Sequence, residues 1–290
     1  MGEQAGGVRI VADGLGIKGP RGWAVRGISV DAGPGALVAV EGPSGSGRTC
    51  LLLALTGRMK VSEGTASVGD ARLPKQMAAV RGVSALAHVP GVADLDPALT
   101  VGEHLRERAL LQQRFGASLR SLLRPRSERA AEAGQRVDAA LEAAGLDLEA
   151  LPKGPRTAVR DLERLEALRL SVALALVGGP RLLGIDDTDL KLADGEREEV
   201  WALLRSLADA GTTVVAVCSE APEGAVKLST AENPEEPAPE DGSRTDQGTD
   251  QADRTDQGTD RADQADQADQ ADQADQGEEK ADALAETGRA

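Results

Sequence analysis

The sequence predicts an α/β domain with a largely parallel sheet, interrupted by a helical block and followed by a polar tail. Short apolar runs alternate with helical patterns from residue 8 to residue 230, as expected for a sheet covered by helices. A sustained helical pattern from Leu99 to about Val177 interrupts this alternation. From residue 231 onward almost no residue is able to anchor a core, so the folded part should end near residue 230.

The first half of the domain is dominated by predicted strands. Three apolar runs before the first helix have the strand pattern, and two more follow the helix. The three early strands are VRIVADGLGI, WAVRGISVDAG and ALVAVEG, the helix is RTCLLLALTGRM, and the later strands are TASVGDARL and AAVRGVSALA.

The second half begins with helices and returns to strands. We place a helical subdomain at about residues 92–177, inside a domain that spans residues 8–230. Its predicted helices are LTVGEHLRERALLQQRFG, RSERAAEAGQRVDAALEAAGL and VRDLERLEALRLSVALALVGG. The strands RLLGIDD and TTVVAVCS then flank the helix GEREEVWALLRSLADAG. Because the helical block interrupts the alternation, the two halves of the sheet domain need each other to fold.

Residues 231–290 form an acidic tail rich in Ala-Asp-Gln triplets. The tail holds 19 acidic and 5 basic residues, a net charge of −14, and the whole chain carries −15, which leaves −1 for residues 1–230. Such a polar segment cannot bury enough apolar surface to offset the entropy of ordering, so it is predicted to be disordered. It is either an acidic tether that repels anionic lipid or recruits a basic partner, or a soluble repeat without function. No nucleic-acid partner is expected.

Other residue patterns point away from metal clusters and membrane spans. Cys50 and Cys218 lack metal-ligand spacing and lie far in sequence from His88 and His104, so we interpret both thiols as small buried apolar groups. The longest apolar stretch, LRLSVALALVGG, is too short to cross a bilayer. We therefore expect a soluble cytoplasmic protein, and any membrane role would require a partner.

The strand ALVAVEG leads into a glycine-rich segment with the spacing of a phosphate-binding loop, or P-loop. Its glycines allow successive backbone N–H groups to point at phosphate oxygens, and the helix that follows adds its positive end. Thr49 is placed to offer its hydroxyl to Mg²⁺. The alternative is a glycine-serine turn without function. The candidate nucleotide-binding residues are Gly42, Pro43, Ser44, Gly45, Ser46, Gly47, Arg48, Thr49 and Cys50.

A P-loop needs a second carboxylate at a neighbouring strand end to hold the metal. The run RLLGIDD supplies one, because a hydrophobic strand ends there in Asp186, followed by Asp187. Paired acids at a strand end can also cap a helix or face solvent. Together with the P-loop, Thr49 and Asp186 are the predicted metal residues.

The order and spacing of these features resemble the ATP-binding cassette of ABC transporters over residues 8–230. The stretches that carry the resemblance are GPSGSGRT, DPALTVGEHL, LRLSVALALVGGPRLLGIDD and LADGEREEVWALLRSLADAGTTVVAV. The resemblance implies a P-loop NTPase with a RecA-like core, a mostly parallel sheet, an antiparallel β part and an inserted helical subdomain. It also implies ATP and Mg²⁺ as cofactors, a dimer closed around two ATP molecules, and a membrane permease that holds the subunit at the inner face of the cell membrane.

The segment that corresponds to the family's LSGGQ signature is Leu162-Glu163-Arg164-Leu165-Glu166. In the family this motif opens a helix whose backbone N–H groups approach the γ-phosphate of ATP held by the other subunit. The resemblance therefore implies that Glu163 and Glu166 bring negative charge towards that phosphate. Leu165 adds bulk where glycine permits close approach.

Four further positions depart from the family pattern. The catalytic glutamate aligns with Asp187, which is one methylene shorter and would serve as the catalytic residue. The glutamine of the loop between core and helical subdomain falls near Gly91, and the switch histidine aligns with Ser219. Arg48 replaces the P-loop lysine and keeps its charge in a planar, wider group.

Two further interpretations follow from the resemblance. Trp23 lies near the segment where the family places an aromatic that stacks on adenine, and plain packing is the alternative.

The function is either an ATP-binding transporter subunit with weak hydrolysis or a catalytically inactive nucleotide-binding regulatory or interaction module. The active form would be a homodimer, or a heterodimer with an intact cassette. A P-loop kinase or GTPase does not match the helical block.

Overall fold

The computed structural model describes residues 6–20, 22–115 and 125–231. Within these ranges the strands are β1 Ile10–Gly19, β2 Gly22–Ala32, β3 Leu37–Glu41, β4 Glu63–Val68, β5 Ala71–Leu73, β6 Ser84–Leu86, β7 Leu182–Ile185, β8 Thr213–Cys218 and β9 Val226–Ser229. The helices are α1 Arg48–Leu55, α2 Met77–Val83, α3 Val101–Phe115, α4 Arg126–Ala144, α5 Arg164–Leu176 and α6 Asp194–Asp209. The predicted disordered tail, residues 231–290, lies outside the described residues except for Ala231.

A five-stranded parallel sheet forms the centre of the fold. Its order is β6-β7-β8-β3-β9, and every neighbouring pair in it is parallel. The central strand β8 reads TVVAVC and is buried along its whole length, which explains why its apolar residues run without alternation. Because all five strands run in one direction, their carboxyl ends share one edge, where β3 ends at Glu41, β7 at Ile185 and β8 at Cys218.

A second sheet is antiparallel and has the order β2-β1-β4-β5. Strand β1 pairs with β2 and β4 on its two sides. Register shifts interrupt the pairing with β2 between Ala12 and Lys18 and the pairing with β4 between Asp13 and Gly16. One aliphatic cluster joins this sheet to α1 and to part of the parallel sheet, and includes the fully buried Ile10, Leu15, Leu51 and Leu55. The predicted combination of a mostly parallel sheet with an antiparallel β part is confirmed.

In the described part of the chain, three α-helices lie between β6 and β7, as the helical pattern predicts. A second aliphatic cluster includes residues of α3, α4 and α5, together with α6 and one face of the parallel sheet. Leu170 and Leu183 are fully buried members of this cluster. The predicted end of the first helix at residue 116 lies outside the described part of the chain. In that described part, no helix is both long enough and apolar enough to cross a bilayer.

The prediction that AAVRGVSALA forms one strand is wrong for its first six residues. Residues 77–83 form the helix α2, and only residues 84–86 join the parallel sheet. Val80 is fully buried against Gly57, whereas Arg81 is exposed. Val80 is the one buried residue of this seven-residue helix, so its packing outweighs the weak strand propensity of the segment.

Candidate nucleotide site

The loop between β3 and α1 needs glycine at two positions where other parts of the chain approach its backbone. Gly42 has φ 152° and Gly47 has φ 86°. A Cβ atom on Gly42 would lie 2.3 Å from Thr230 Oγ1, and one on Gly47 would lie 2.2 Å from the Ala24 carbonyl oxygen. The loop is therefore shaped by β2 and by the residue that follows β9, as well as by its own sequence.

The loop is also tied to the rest of the sheet by hydroxyl groups. Ser46 Oγ and Thr230 Oγ1 are 2.5 Å apart and share a hydrogen bond. Thr230 Oγ1 also contacts the Glu41 carbonyl oxygen at 3.1 Å, which links the loop to the strand before it. Pro43, Ser44 and Gly45 are exposed at the tip of the loop. The sequence does not single out Thr230, because its partner lies 184 residues away.

Helix α1 presents its amino-terminal end to the loop. Gly47 occupies the cap position, no side chain caps the helix there, and its first turn contains no acidic residue. The unpaired N–H groups and the positive end of the helix dipole therefore suit an anion. Cys50 is half-buried in α1 and packs against the aliphatic cluster beneath it, which agrees with a small apolar group.

The two predicted metal residues contact each other. Thr49 Oγ1 donates a hydrogen bond to Asp186 Oδ2 at 2.6 Å, and the Asp187 backbone N–H donates to Asp186 Oδ1 at 2.8 Å. Asp186 is only 2% exposed. Burial raises the pKa of its carboxyl group, while these hydrogen bonds act in the opposite direction. A hydroxyl and a carboxylate are hard oxygen donors of the kind that Mg²⁺ prefers, so the donor set fits that ion.

Asp187 and Ser219 lie at the same edge of the sheet but differ in setting. Asp187 is half-buried and has φ 48°, an uncommon conformation for a residue other than glycine. Ser219 is exposed directly after β8, and its backbone N–H donates a hydrogen bond to Asp189 Oδ2 at 2.7 Å. Unlike a histidine, this serine has no ring nitrogen that could contact a phosphate or a water molecule.

Arg48 is engaged with the sheet. Its Nη1 atom donates a hydrogen bond to the Cys218 carbonyl oxygen at 2.6 Å, at the end of β8. A guanidinium has five donor hydrogens in a planar fork, so one donor is used here and others remain for a ligand. This hydrogen bond links the loop to β8, the strand that precedes Ser219.

His88 lies beside Asp186, just beyond the end of the neighbouring strand β6. The sequence did not predict His88 as a site residue. The Asp186 N–H donates to the His88 carbonyl oxygen at 2.7 Å, which extends the pairing of β6 with β7 by one step beyond their ends. Gly91, where the family glutamine was placed, lies in an exposed turn with φ 74° and donates its N–H to Asp94 Oδ2 at 2.6 Å. The continuous run SALAHV places His88 directly after a predicted strand, and this position was the signal that could have identified it.

The segment LERLE caps and supports α5. The Glu166 carboxylate accepts a hydrogen bond from the Glu163 backbone N–H at 2.9 Å, so this negative charge is held at the amino-terminal end of the helix. Leu162 and Leu165 are partly buried and pack against the core of the helical block. A carboxylate thus lies at the end of α5 whose backbone N–H groups and helix dipole would otherwise favour an anion.

Trp23 contacts two cations. Lys18 Nζ and Arg26 Cζ each lie 4.6 Å from the centroid of its ring, in the range of cation–π contacts. Trp23 is half-buried and precedes Ala24, the residue whose carbonyl oxygen meets Gly47. The tryptophan is therefore next in sequence to the residue that approaches the nucleotide loop, and stacking on adenine stays a prediction.

The Cys218 thiol should resist alkylation in the native protein. It is fully buried, and burial raises its pKa to about 12, so the reactive thiolate is scarce at pH 8. We expect iodoacetamide at pH 8 to leave Cys218 unmodified in the native chain and to modify it fully in denaturant, as measured by mass spectrometry of peptides. Rapid native labelling of Cys218 would contradict the buried position of β8.

Comparison with known proteins identifies a family. The model of the family described as ABC transporter matches residues 25–189. A Nod factor export ATP-binding protein I from Cupriavidus metallidurans is 30% identical over 188 residues, which cover 65% of this chain and 55% of that protein. The Fe(3+) ions import ATP-binding protein FbpC from Streptomyces avermitilis is 31% identical over 192 residues, covering 66% of this chain and 49% of that protein. The chain thus spans about half the length of these relatives.

Solved structures show the same fold. The dimeric bacterial ABC transporter cassette MJ0796 superposes with a TM-score of 0.59 at 20% identity, covering 78% of this chain and 96% of that one. A bacterial Atm1-family ABC exporter with ATP bound gives a TM-score of 0.54 at 22% identity, covering 73% of this chain and 34% of that one. With the P-loop and the carboxylate pair at one sheet edge and the family model over more than half of the sequence, the chain belongs to the ABC transporter family.

Proposed function

We propose that this chain is the ATP-binding subunit of an ABC-type transporter, with weak hydrolysis. The observation that carries the proposal is the 2.6 Å contact between Thr49 Oγ1 and Asp186 Oδ2, which joins the P-loop to the carboxylate of the neighbouring strand. Hydroxyl and carboxylate at this position are the groups that would hold Mg²⁺ on the phosphates of ATP. The relatives that are named as ATP-binding proteins of export and import systems support the same reading.

In this proposal the loop residues 42–49 bind the phosphates through backbone N–H groups and the amino-terminal end of α1. Arg48 retains free donors for a phosphate oxygen, although its contact with Cys218 restricts where the guanidinium can reach. Thr49 and Asp186 would hold the metal, which would neutralise charge on the phosphates. Asp187 is the group proposed to position the attacking water.

Three features support slow turnover. Asp187 is one methylene shorter than glutamate, and a misplacement near 1 Å costs on the order of 100-fold in rate. Ser219 lacks the ring nitrogen of a histidine. The carboxylate of Glu166 is held at the end of α5 that would face a partner's phosphate. The same features favour the second candidate, an inactive nucleotide-binding regulatory or interaction module.

The subunit is proposed to act with a permease at the inner face of the cell membrane. A homodimer would place LERLE at both nucleotide sites. A heterodimer with an intact cassette would pair the P-loop of this chain with a favourable signature and leave only one site facing LERLE. The heterodimer thus avoids bringing the Glu166 carboxylate to both phosphates.

Calorimetry and a phosphate-release assay on the purified full chain test the proposal. We expect Mg-ATP to bind weakly and to be hydrolysed about 100-fold more slowly than by an intact cassette, because the water-positioning groups are short or missing. Asp187→Asn should leave Mg-ATP affinity within about twofold, since Asp186 holds the metal.

The outcomes separate the two candidates. Binding with slow turnover that Asp187→Asn abolishes supports the transporter subunit. Binding with no turnover above the Asp187→Asn background supports the regulatory module. Rapid turnover by the homodimer refutes the proposed weak hydrolysis, and no binding of Mg-ATP refutes the nucleotide role altogether.

A further inference from the structure

Thr230 is a buried hydroxyl residue at the place where β3 passes into the nucleotide loop. It directly follows β9, the strand that pairs with β3 in parallel, and it is 2% exposed. Its backbone N–H donates a hydrogen bond to the Glu41 carbonyl oxygen at 2.9 Å. The next residue after Glu41 is Gly42, which begins the loop, so the end of β9 is fixed directly beside the loop.

The Thr230 hydroxyl holds both ends of the exposed tip of the loop. At one end Gly42 packs so closely that a Cβ atom on it would lie 2.3 Å from Thr230 Oγ1. At the other end Ser46 Oγ shares a hydrogen bond of 2.5 Å with the same atom. The tip between them, residues 43–45, is exposed. Over the residues that the structure describes, this is the only side-chain hydrogen bond that reaches residues 42–47, so the shape of the tip depends on it.

The hydrogen of the Thr230 hydroxyl can point in two directions. Thr230 Oγ1 lies 3.1 Å from the Glu41 carbonyl oxygen and donates to it when Ser46 is the donor to Thr230. It can instead donate to Ser46, because the Glu41 carbonyl oxygen still accepts the Thr230 backbone N–H. In the second arrangement the Ser46 hydrogen is released for another acceptor. The bond between the two hydroxyls therefore survives the arrival of an anion beside Ser46.

We propose that Thr230 is a positioning residue for phosphate binding, which acts through Ser46 to hold residues 42–47 in their binding shape. Thr230 is buried, so it would act without touching the nucleotide. A loop that is already held in shape binds phosphate without the cost of ordering its backbone. This inference rests on the proposed function, because the phosphates of ATP are the ligand for which the loop is held.

Calorimetry of Mg-ATP binding by the full chain compares Thr230→Ala with Thr230→Ser. Serine keeps the hydroxyl and alanine removes it, whereas valine would place a methyl group where Oγ1 lies 2.5 Å from Ser46 Oγ. We expect alanine to lower the affinity about tenfold, as for the loss of one hydrogen bond, and serine to stay within about twofold of the unaltered chain. The ratio of affinities with and without Mg²⁺ should not change, since Thr49 and Asp186 are intact.

Ser46→Ala shows whether Thr230 acts through Ser46. It should lower the Mg-ATP affinity by about the same factor as Thr230→Ala, and the double variant should bind no more weakly than either single variant. Losses of affinity that multiply in the double variant would show that the two residues act independently, which contradicts the proposal.

Thr213→Ala is the matched control. Thr213 is also a buried threonine of the parallel sheet, and its Oγ1 accepts the Val8 and Gly35 N–H groups and donates to the Val8 carbonyl oxygen. It begins β8, at the opposite end of the sheet from the nucleotide loop. This change should lower Tm at least as much as Thr230→Ala and leave Mg-ATP affinity unchanged. An equal loss of affinity in the two variants would reduce Thr230 to a general contribution to stability and overturn the proposal.

Hydrogen exchange of peptides covering residues 42–49, in the chain without nucleotide, separates this inference from the proposed function. We expect faster exchange in Thr230→Ala than in Thr230→Ser or Thr213→Ala, because only the first loosens the loop. Mg-ATP binding with unchanged affinity and unchanged loop exchange in Thr230→Ala refutes the positioning role alone. Faster loop exchange in a chain that does not bind Mg-ATP refutes the nucleotide role and supports Thr230 as the residue that holds the loop.

Discussion

Replacing Gly47 with alanine is expected to abolish Mg-ATP binding and to destabilise the domain by about 3 kcal/mol or more. The new Cβ would lie 2.2 Å from the Ala24 carbonyl oxygen, and φ 86° is unfavourable for alanine. The alanine Cβ and the Ala24 carbonyl oxygen are both fixed to the backbone, so neither can rotate away. Either β2 or the loop must therefore shift. For a domain of this size the loss corresponds to a fall in Tm of roughly 6–12 °C, measurable by calorimetry.

Gly45→Ala separates the two causes of that effect. Gly45 belongs to the same loop and has φ 82°, but a Cβ atom there would meet nothing within 4 Å. It should therefore cost only about 1 kcal/mol from the backbone conformation. If Gly45→Ala and Gly47→Ala lowered Tm equally, the close approach of β2 to the loop would not be the reason for glycine at position 47.

Replacing Asp186 with asparagine is expected to remove the effect of Mg²⁺ on ATP affinity. The amide keeps an oxygen for the Asp187 N–H and a partner for the Thr49 hydroxyl, so both hydrogen bonds at this residue can be replaced. It lacks the charge that a divalent ion requires. We expect about a 100-fold loss of affinity in the presence of Mg²⁺ and little change in its absence, by calorimetry with and without the ion.

Asp189→Asn provides the control for that measurement. Asp189 accepts the Ser219 N–H at 2.7 Å, and an asparagine oxygen can accept the same hydrogen bond. Its Mg²⁺ dependence should match that of the unaltered chain. An Asp186→Asn variant whose ATP affinity still rises with Mg²⁺ would place the metal on other residues.

The sequence predicted the elements that carry local signals. The alternation of apolar runs and helical patterns gave the α/β class, because strand and helix periods are properties of short segments. The segment Gly42–Thr49 was recognisable since strand, glycine-rich loop and helix follow one another directly. Asp186 was found because it ends an apolar run. The prediction of one strand over AAVRGVSALA was wrong because residues 77–83 are helical. That helix depends on the burial of Val80 against Gly57, which lies in another part of the chain.

The sequence by itself determined the fold class, the phosphate loop and the carboxylate pair, because each of these lies within one short stretch. Only the tertiary structure decided that Arg48 contacts Cys218, that Thr230 holds Ser46, and that His88 lies beside Asp186. These arrangements join residues from separate strands and helices, and their proximity arises from packing, which no local pattern records.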